Sequence, residues 1–289
     1  MHFSCISPCK LNLFLYITGR RPDNYHNLQT LFVILDKGDK MSFNLSDTDA
    51  DSTDYASLID IKGPFDFAKE KNLIFKAALA FYKKYDIRRP LCIEVEKFIP
   101  EGAGLGGGSS NAATTLLVLN AMCRIHATED DLIDLGRQLG ADVPVFIHGH
   151  AAFAQGTGDI LHTVDIDEKY YLVVTPKCHV NTSEVFKNKD LKRDWPVRDF
   201  KTLISLGYYN EFTKSVANIH SLVGQCLISL VKYGPAHMSG SGSSCFVEFD
   251  TLEDAQRALD DLDTSLYRSA FVAKSCNTSC TTLSICHNF

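Results

Sequence analysis

The sequence of 289 residues lacks an apolar stretch long enough to cross a bilayer, for which about 20 residues are needed. It also lacks a basic surplus: the formal net charge is −6, whereas a surface that binds nucleic acid is expected to be basic. The short apolar run at residues 11–17 is followed by Arg20, Arg21 and Asp23 rather than by the small residues of a signal-peptide cleavage site. We therefore expect a cytoplasmic protein that binds neither nucleic acid nor membranes.

The ten cysteines show no regular spacing. Without an export signal we expect them to stay reduced and to serve as small buried hydrophobic residues. The only local cluster joins Cys276, Cys280, Cys286 and His287, and it lacks the second ligand pair of a recognised zinc site. No metal is predicted there, and no cysteine is predicted to act as a nucleophile.

A glycine-rich segment at residues 100–111 is the strongest functional signal in the chain. It reads Pro-Glu-Gly-Ala-Gly-Leu-Gly-Gly-Gly-Ser-Ser-Asn, and a helix is predicted to follow from Ala112 to Met122. Side chains do not obstruct the backbone N–H groups of such a loop, and the helix N-terminus that follows it favours anions. The segment therefore predicts a phosphate-binding loop in an enzyme that handles a nucleotide.

Other phosphate loops fit this segment less well. A Walker loop is excluded because no lysine lies between Lys97 and Lys169. The companion motifs of a protein kinase, Val-Ala-Ile-Lys, His-Arg-Asp and Asp-Phe-Gly, are absent. The glycines formally meet the Rossmann pattern, yet the first acidic residue after the loop is Glu129, at the start of another predicted helix. A flexible linker is disfavoured because a strand and a helix are predicted to flank the loop.

The coarse pattern of strands and helices favours α+β layers over a doubly wound sheet. Period-2 alternation predicts a strand over residues 4–17, with Lys10, Asn12 and Phe14 on one face. Helices are predicted at residues 72–85, 112–122, 128–140, 218–233 and 251–262, and further strands at residues 93–96, 171–175, 245–249 and 267–273. We expect two domains, at residues 1–160 and 161–289.

Three further segments stand out, two for a single charged residue and one for a second run of glycine and serine. Lys10 is the one cation of an apolar strand, although a lysine at a strand edge can also extend its charge to solvent. Asp142 follows a predicted helix end, where Pro144 is expected to keep Val143 out of helical dihedrals. A second glycine segment, Met-Ser-Gly-Ser-Gly-Ser-Ser, occupies residues 238–244. Two such segments far apart in sequence are hard to explain as linkers.

These segments resemble the GHMP kinase superfamily, named after the galacto-, homoserine, mevalonate and phosphomevalonate kinases. Residues 100–110 match its Pro-x-x-x-Gly-Leu-Gly-x-Gly-Ser-Ser motif, and residues 238–244 resemble its third motif. The segments Pro-Cys-Lys-Leu-Asn-Leu, at residues 8–13, and Gly-Arg-Arg-Pro-Asp-Asn-Tyr-His-Asn-Leu, at residues 19–28, resemble one family within it, the 4-diphosphocytidyl-2-C-methyl-D-erythritol kinases. Asn24 replaces that family's usual glycine, and asparagine tolerates the left-handed conformation better than most residues.

The resemblance implies a two-domain GHMP-kinase-like fold with the active site in the inter-domain cleft. It implies a catalytic pair in which Asp142 accepts or electrostatically activates the substrate hydroxyl proton, while Lys10 stabilises negative charge. Whether proton abstraction is complete before phosphoryl transfer stays open, because such transfer can run mostly on positioning and charge stabilisation.

The same resemblance implies two binding sets. Tyr25 would stack on a cytosine ring, His26 would hydrogen-bond its edge, and Phe186 would form the second aromatic plate. Asn12 and Thr182 complete the predicted substrate-binding residues. The predicted ATP-binding residues are Pro100, Gly102, Ala103, Gly104, Leu105, Gly106, Gly107, Gly108, Ser109, Ser110, Ser239, Gly240, Ser241 and Gly242.

We therefore expect a kinase that uses ATP and Mg²⁺ to phosphorylate the 2-hydroxyl of 4-diphosphocytidyl-2-C-methyl-D-erythritol, in the non-mevalonate route to isoprenoid precursors. A serine of the loop is expected to reach the Mg²⁺ ion, and no carboxylate ligand is predicted. The expected oligomeric state is a monomer or a weak homodimer. The alternatives are another GHMP kinase, a catalytically inactive nucleotide-binding module and a Rossmann oxidoreductase.

Overall fold

The computed structural model describes residues 1–289. The strands are β1 (His2–Arg20), β2 (His26–Leu45), β3 (Ile59–Lys62), β4 (Leu91–Glu96), β5 (Ala152–Gln155), β6 (Ile160–Thr163), β7 (Tyr170–Pro176), β8 (Ala236–Met238), β9 (Cys245–Phe249) and β10 (Tyr267–Cys276). The helices are α1 (Leu73–Tyr85), α2 (Gly107–Cys123), α3 (Glu129–Arg137), α4 (Val143–His148), α5 (Thr182–Lys187), α6 (Phe200–Ser205), α7 (Phe212–Ile219), α8 (Ser221–Leu230), α9 (Leu252–Asp260) and α10 (Cys280–Asn288). No helix combines the length and the hydropathy that a membrane span would require.

The strands form one mixed sheet in which the long strands β1 and β2 pair along most of their length. The main path runs β3-β4-β2-β10-β7-β9-β8, with β1 and β5 also paired to β2 and β6 paired to β5. Only β3 and β4 are parallel; every other pair is antiparallel. A Rossmann fold requires a mostly parallel sheet, so this topology excludes it. The α+β prediction is confirmed.

Because β1 pairs irregularly with β2, its side chains do not alternate strictly between the two faces of the sheet. The register shifts between Pro8 and Lys10 and again between Asn12 and Phe14. A bulge of this kind inserts an extra residue and reverses the alternation beyond it. Phe14 therefore packs in the apolar cluster of Leu11 rather than beside Lys10. The prediction that Lys10, Asn12 and Phe14 share a face is right for the first two residues and wrong for Phe14.

Helix α2 begins inside the glycine segment, five residues earlier than predicted. Its N-cap is Gly106, in the left-handed conformation with φ of 74°, and no side chain caps the helix. The first N–H groups of the helix therefore remain available to an external acceptor. The apolar residues after the loop anchor α2, since Ala112, Ala113, Leu116 and Leu119 are fully buried.

The other predicted elements agree with the structure to within a few residues, with one further exception. The helix predicted over residues 218–233 is broken at His220, whose ψ of 87° is not helical, so α7 and α8 are separate. The helix predicted from residue 128 opens with a capping box: the Thr128 hydroxyl accepts from the Asp131 N–H, and the Asp131 carboxylate accepts from the Thr128 N–H.

Strand β1 contributes to apolar packing on both halves of the molecule. Leu15 and Ile17 join a cluster built mainly from the C-terminal half, whereas Phe3 lies in the cluster of the N-terminal half. The last residue, Phe289, packs on Phe3 with ring centroids 5.2 Å apart. The predicted domain boundary at residue 160 falls at the start of β6, and the division into domains stays a prediction.

Candidate active site

One cleft of about 1140 Å³ brings the separate sequence signals together. The residues predicted for the site that line it are Lys10, Asn12, Tyr25, His26, Pro100, Gly102, Ala103, Gly104, Gly106, Gly107, Gly108, Ser109, Asp142, Thr182, Phe186, Gly240, Ser241 and Gly242. They come from β1, the β1–β2 turn and the first residue of β2, both glycine segments, the residue before α4, and α5. The fold thus gathers side chains that are more than 200 residues apart in sequence.

Three predicted ATP-binding residues do not line the cleft. Leu105 is buried in the apolar cluster beneath the loop. The Ser110 hydroxyl is fully buried and lies 2.8 Å from the hydroxyl of Ser7. Ser239 is also fully buried, and its hydroxyl donates to the Gly104 carbonyl at 3.0 Å. Their side chains support the loops from behind.

Lys10 and Asp142 form an ion pair at the wall of the cleft. Lys10 Nζ lies 3.4 Å from Asp142 Oδ2, and the exposed fractions of the two side chains are 3% and 36%. The ammonium also donates to Asn12 Oδ1 at 2.5 Å and to the Gly104 carbonyl at 3.1 Å. A buried ammonium is costly unless its donors are satisfied, and here three acceptors surround it. The lysine is therefore held in place, while the aspartate stays accessible to a ligand.

Asp142 precedes α4, and its carboxylate is not used to cap that helix. The expectation that Pro144 would keep Val143 out of a helix is wrong, because Val143 is the first residue of α4. Proline is tolerated in the first helical turn, where its missing N–H has no partner to lose. Complete burial of Val143 outweighs the steric preference of a residue before proline. The carboxylate consequently faces the cleft from the helix start.

The two glycine segments touch each other beside Lys10. Gly104 has φ of 75°, and a Cβ there would collide with the carbonyl oxygens of Ser239 and Gly242. Gly240 has φ of 55°, and a Cβ there would lie 3.1 Å from Asn12 Oδ1 and 3.4 Å from Lys10 Nζ. Only glycine permits this dihedral region at so close an approach. The loops therefore form one continuous backbone surface with the lysine beneath it.

A buried carboxylate fixes the chain where it enters the first glycine segment. Asp39 is fully buried and accepts hydrogen bonds from the Phe98 and Ile99 N–H groups, each at 2.8 Å. It also accepts from Lys97 Nζ, which in turn reaches Asn111 Oδ1 of α2 at 3.3 Å. These bonds fix β4, the loop and α2 relative to one another, so the loop has its shape before any ligand binds.

The far end of the cleft carries the predicted aromatic residues. Tyr25 is 63% exposed, and Asn24 before it adopts φ of 68°, the left-handed conformation that asparagine tolerates. The rings of His26 and Phe186 stack with centroids 5.1 Å apart and an interplanar angle of 26°. Burial, followed by the charges of Arg193 and Arg20, lowers the pKa of His26 below its ordinary value. The imidazole is therefore neutral at physiological pH.

Comparison with known proteins decides the family. Models of the GHMP kinases match twice: the N-terminal domain at residues 72–150 and the C-terminal region at residues 190–268. The chain is 44% identical to the 4-diphosphocytidyl-2-C-methyl-D-erythritol kinase of Tolumonas auensis, over 94% of this chain and 93% of that protein. Its identity to the enzyme of the same name from Pseudoalteromonas translucida is also 44%, over 96% and 94% of the two chains. The chain belongs to this family of GHMP kinases.

A solved structure agrees with that membership. The crystal structure of a 4-(cytidine 5'-diphospho)-2C-methyl-D-erythritol kinase superposes with a TM-score of 0.77 at 29% identity, covering 94% of this chain and 99% of that one. The predictions of a GHMP-kinase fold and of a small-molecule kinase are confirmed.

Sequence reasoning missed several residues that shape this kinase site. Asn210 donates to the carbonyls of Met238 and Gly240, at 2.7 and 2.8 Å, and so holds the second glycine loop. Arg193 lines the cleft and contacts His26. Asp39 fixes the first loop, as described above. None of the three lies in a recognisable motif, and each makes at least one contact 28 or more positions away in the sequence, which only the fold shows.

Proposed function

We propose that this chain transfers the terminal phosphoryl group of ATP to the 2-hydroxyl of 4-diphosphocytidyl-2-C-methyl-D-erythritol, as a step of non-mevalonate isoprenoid precursor synthesis. The observation that carries the proposal is the single cleft that both glycine loops, the Lys10–Asp142 pair and the Tyr25–His26–Phe186 aromatic group all line. Its volume of about 1140 Å³ provides room for two ligands side by side. The names of the close relatives support the same substrate.

The glycine loops are proposed to hold the phosphates of ATP. Helix α2 starts at Gly107 with an uncapped N-terminus and no acidic residue in its first turn. Free N–H groups and the positive end of the macrodipole both favour a phosphate at that place. The second loop contributes Gly240 and Ser241 to the same cleft. The Thr182 hydroxyl lies 2.7 Å from the Ser241 hydroxyl and would help to hold this loop over the phosphates.

Mg²⁺ fits this site as an ion held mainly by phosphates and water. Mg²⁺ takes oxygen ligands and often binds through one or two protein groups plus substrate phosphates. Ser109 lines the cleft in the first turn of α2, whereas the Ser110 hydroxyl is already paired with Ser7. Ser109 is therefore the loop serine proposed to reach the ion, which would neutralise charge on the phosphates.

The ion pair provides the chemistry at the hydroxyl. As the substrate oxygen bonds to the terminal phosphorus, the bond from that phosphorus to the bridging oxygen breaks and ADP leaves. The hydroxyl proton passes to Asp142, whose carboxylate is exposed to the cleft. Asn12 and Gly104 hold Lys10 in place. Its charge therefore stabilises the negative charge that develops on the reacting oxygens, and the side chain does not have to move. Most of the catalysis then comes from positioning and charge.

Tyr25 is proposed to cover one face of the cytosine ring, with Phe186 on the other face and His26 at the edge of the ring. Tyr25→Ala should raise the KM of the cytidylyl substrate by about ten- to a hundredfold, since a base–aromatic stack contributes 1–3 kcal/mol. The KM of ATP should stay within about twofold of the wild-type value, because Tyr25 is proposed to contact the cytidylyl substrate and not ATP. Steady-state ADP release at varied concentrations of each substrate measures both values.

Tyr55→Phe is a matched control, because its hydroxyl bonds to Asp86 on the surface and lies outside the cleft. It should leave both KM values unchanged. An unaltered KM for the cytidylyl compound in Tyr25→Ala would instead favour another GHMP kinase activity. The cytoplasmic location and the monomeric or weakly dimeric state stay predictions from the sequence.

A further inference from the structure

We propose that Arg193 is a positioning residue for the pyrimidine: it holds His26 in one tautomer and fixes the Phe186 ring beside it. The inference rests on the proposed function, because that function places a base at this end of the cleft. Arg193 touches the groups that would hold the base, and it acts through them.

The guanidinium of Arg193 joins separate pieces of backbone to His26. Its Nη2 donates to the carbonyl of Phe186 at 2.9 Å and to that of Asn188 at 2.5 Å. Its Nη1 donates to the carbonyl of Leu191 at 3.1 Å. Its Nε donates to Nε2 of His26 at 3.3 Å. Three carbonyls around the end of α5 and one imidazole thus share a planar fork of donors, a geometry that lysine cannot reproduce.

This contact determines which nitrogen of His26 carries the proton. Arginine is always protonated and only donates, so Nε2 must accept and the proton of the neutral ring must sit on Nδ1. His26 Nδ1 has no hydrogen-bond partner in the protein, and His26 lines the cleft. The structure therefore presents an N–H donor at the place where a base edge is expected.

The segment that carries Arg193 is held on both sides, although it has no regular secondary structure. The N–H of Lys192 donates to Glu211 Oε1 at 2.7 Å, and Trp195 Nε1 donates to Glu211 Oε2 at 2.7 Å. The Trp195 N–H bonds to the Ile17 carbonyl of β1 at 3.1 Å. Arg193 is thus fixed relative to β1 and α7, which allows it to define the His26 and Phe186 positions.

The tautomer has a consequence for base selection. Cytosine presents acceptors at O2 and N3, whereas uracil presents an N–H at N3. An imidazole fixed as an Nδ1–H donor suits the acceptor edge of cytosine and leaves an N3–H group of uracil facing another donor. A site that hydrogen-bonds one base edge rejects an analogue that has a donor where the preferred base has an acceptor, because a buried polar group is then left unpaired.

Arg193→Met and Arg193→Lys test the inference, with Arg257→Gln on the exposed face of α9 as a control. We expect both Arg193 variants to raise the KM of the cytidylyl substrate about tenfold or more, the size expected when a charged hydrogen bond is lost. The KM of ATP should not change. The variants should prefer a cytidylyl over a uridylyl substrate less strongly than the wild type does. Lysine keeps the charge without the fork, so it should not rescue.

A spectroscopic readout makes the result independent of turnover. In nitrogen-15 NMR of the wild-type ring, His26 should show a protonated Nδ1 and an unprotonated Nε2, and Arg193→Met should shift the proton towards Nε2. Full rescue by lysine, an equal rise in the KM of ATP, or an unchanged tautomer would overturn the inference. A wild type that fails to release ADP with the cytidylyl compound would instead refute the proposed function, while the NMR result would still report on Arg193.

Discussion

Replacing Asp142 with asparagine is expected to lower kcat by about a hundredfold to ten thousandfold, the range that a positioned general base contributes. The amide cannot take the hydroxyl proton, and it removes the negative partner of Lys10, 3.4 Å away. The KM of ATP should change little, because the glycine loops do not depend on this carboxylate. Steady-state ADP release, with circular dichroism to verify the fold, measures the effect.

Asp134→Asn is a suitable control for that substitution. Asp134 lies on α3, is paired only with Arg137 at the surface, and is 67% exposed. Its loss should leave kcat unaltered, since surface ion pairs contribute at most about 1 kcal/mol to stability. If Asp142→Asn kept kcat within about threefold of the wild type, another group would have to handle the proton.

Gly104→Ala should weaken ATP binding and lower the kcat/KM for ATP by about a hundredfold or more, the second large effect expected. The residue has φ of 75°, and its Cβ would collide with the Ser239 and Gly242 carbonyls. These are backbone atoms, so the collision can be relieved only by separating the two glycine loops. A displacement of about 1 Å can cost a hundredfold in rate. Titration with ATP and the kcat/KM for ATP report the change.

Gly207→Ala is a control for Gly104→Ala: it introduces the same backbone strain without a collision between the glycine loops. Gly207 has a similar φ of 78°, but nothing lies within 4 Å of an added Cβ. It should lose about 1–2 kcal/mol of stability from the left-handed conformation and retain its affinity for ATP. Equal ATP affinity in Gly104→Ala and the wild type would show that contact between the loops is not needed for binding.

Much of the site was accessible from the sequence because its parts are contiguous motifs. A glycine run before a helix fixes a local backbone shape, and α2 starts within that run as the chemistry of such loops favours. Lys10 and Asn12 share a strand face because their separation of two residues matches the period of a strand. The Lys10–Asp142 pairing followed from the family resemblance, and the fold brings the two residues together.

Features that depend on tertiary contacts were missed or wrong. Phe14 changes face because β1 bulges against β2, a property of pairing rather than of the strand's own alternation. The helix predicted over residues 218–233 breaks at His220, although no proline marks the break. Val143 is helical because burial outweighs a local preference. Arg193 carries no motif, and its role depends on carbonyls and an imidazole that folding brings near.

The most direct test of the proposed activity is ADP release by the purified wild-type protein with Mg²⁺ and ATP, comparing the cytidylyl erythritol compound with mevalonate and homoserine. We predict turnover with the cytidylyl compound and none above background with the other two alcohols, because only the first can occupy the Tyr25–His26–Phe186 end of the cleft. Faster ADP release with mevalonate or homoserine would contradict the proposed activity, as would ATP binding with no ADP release in any mixture.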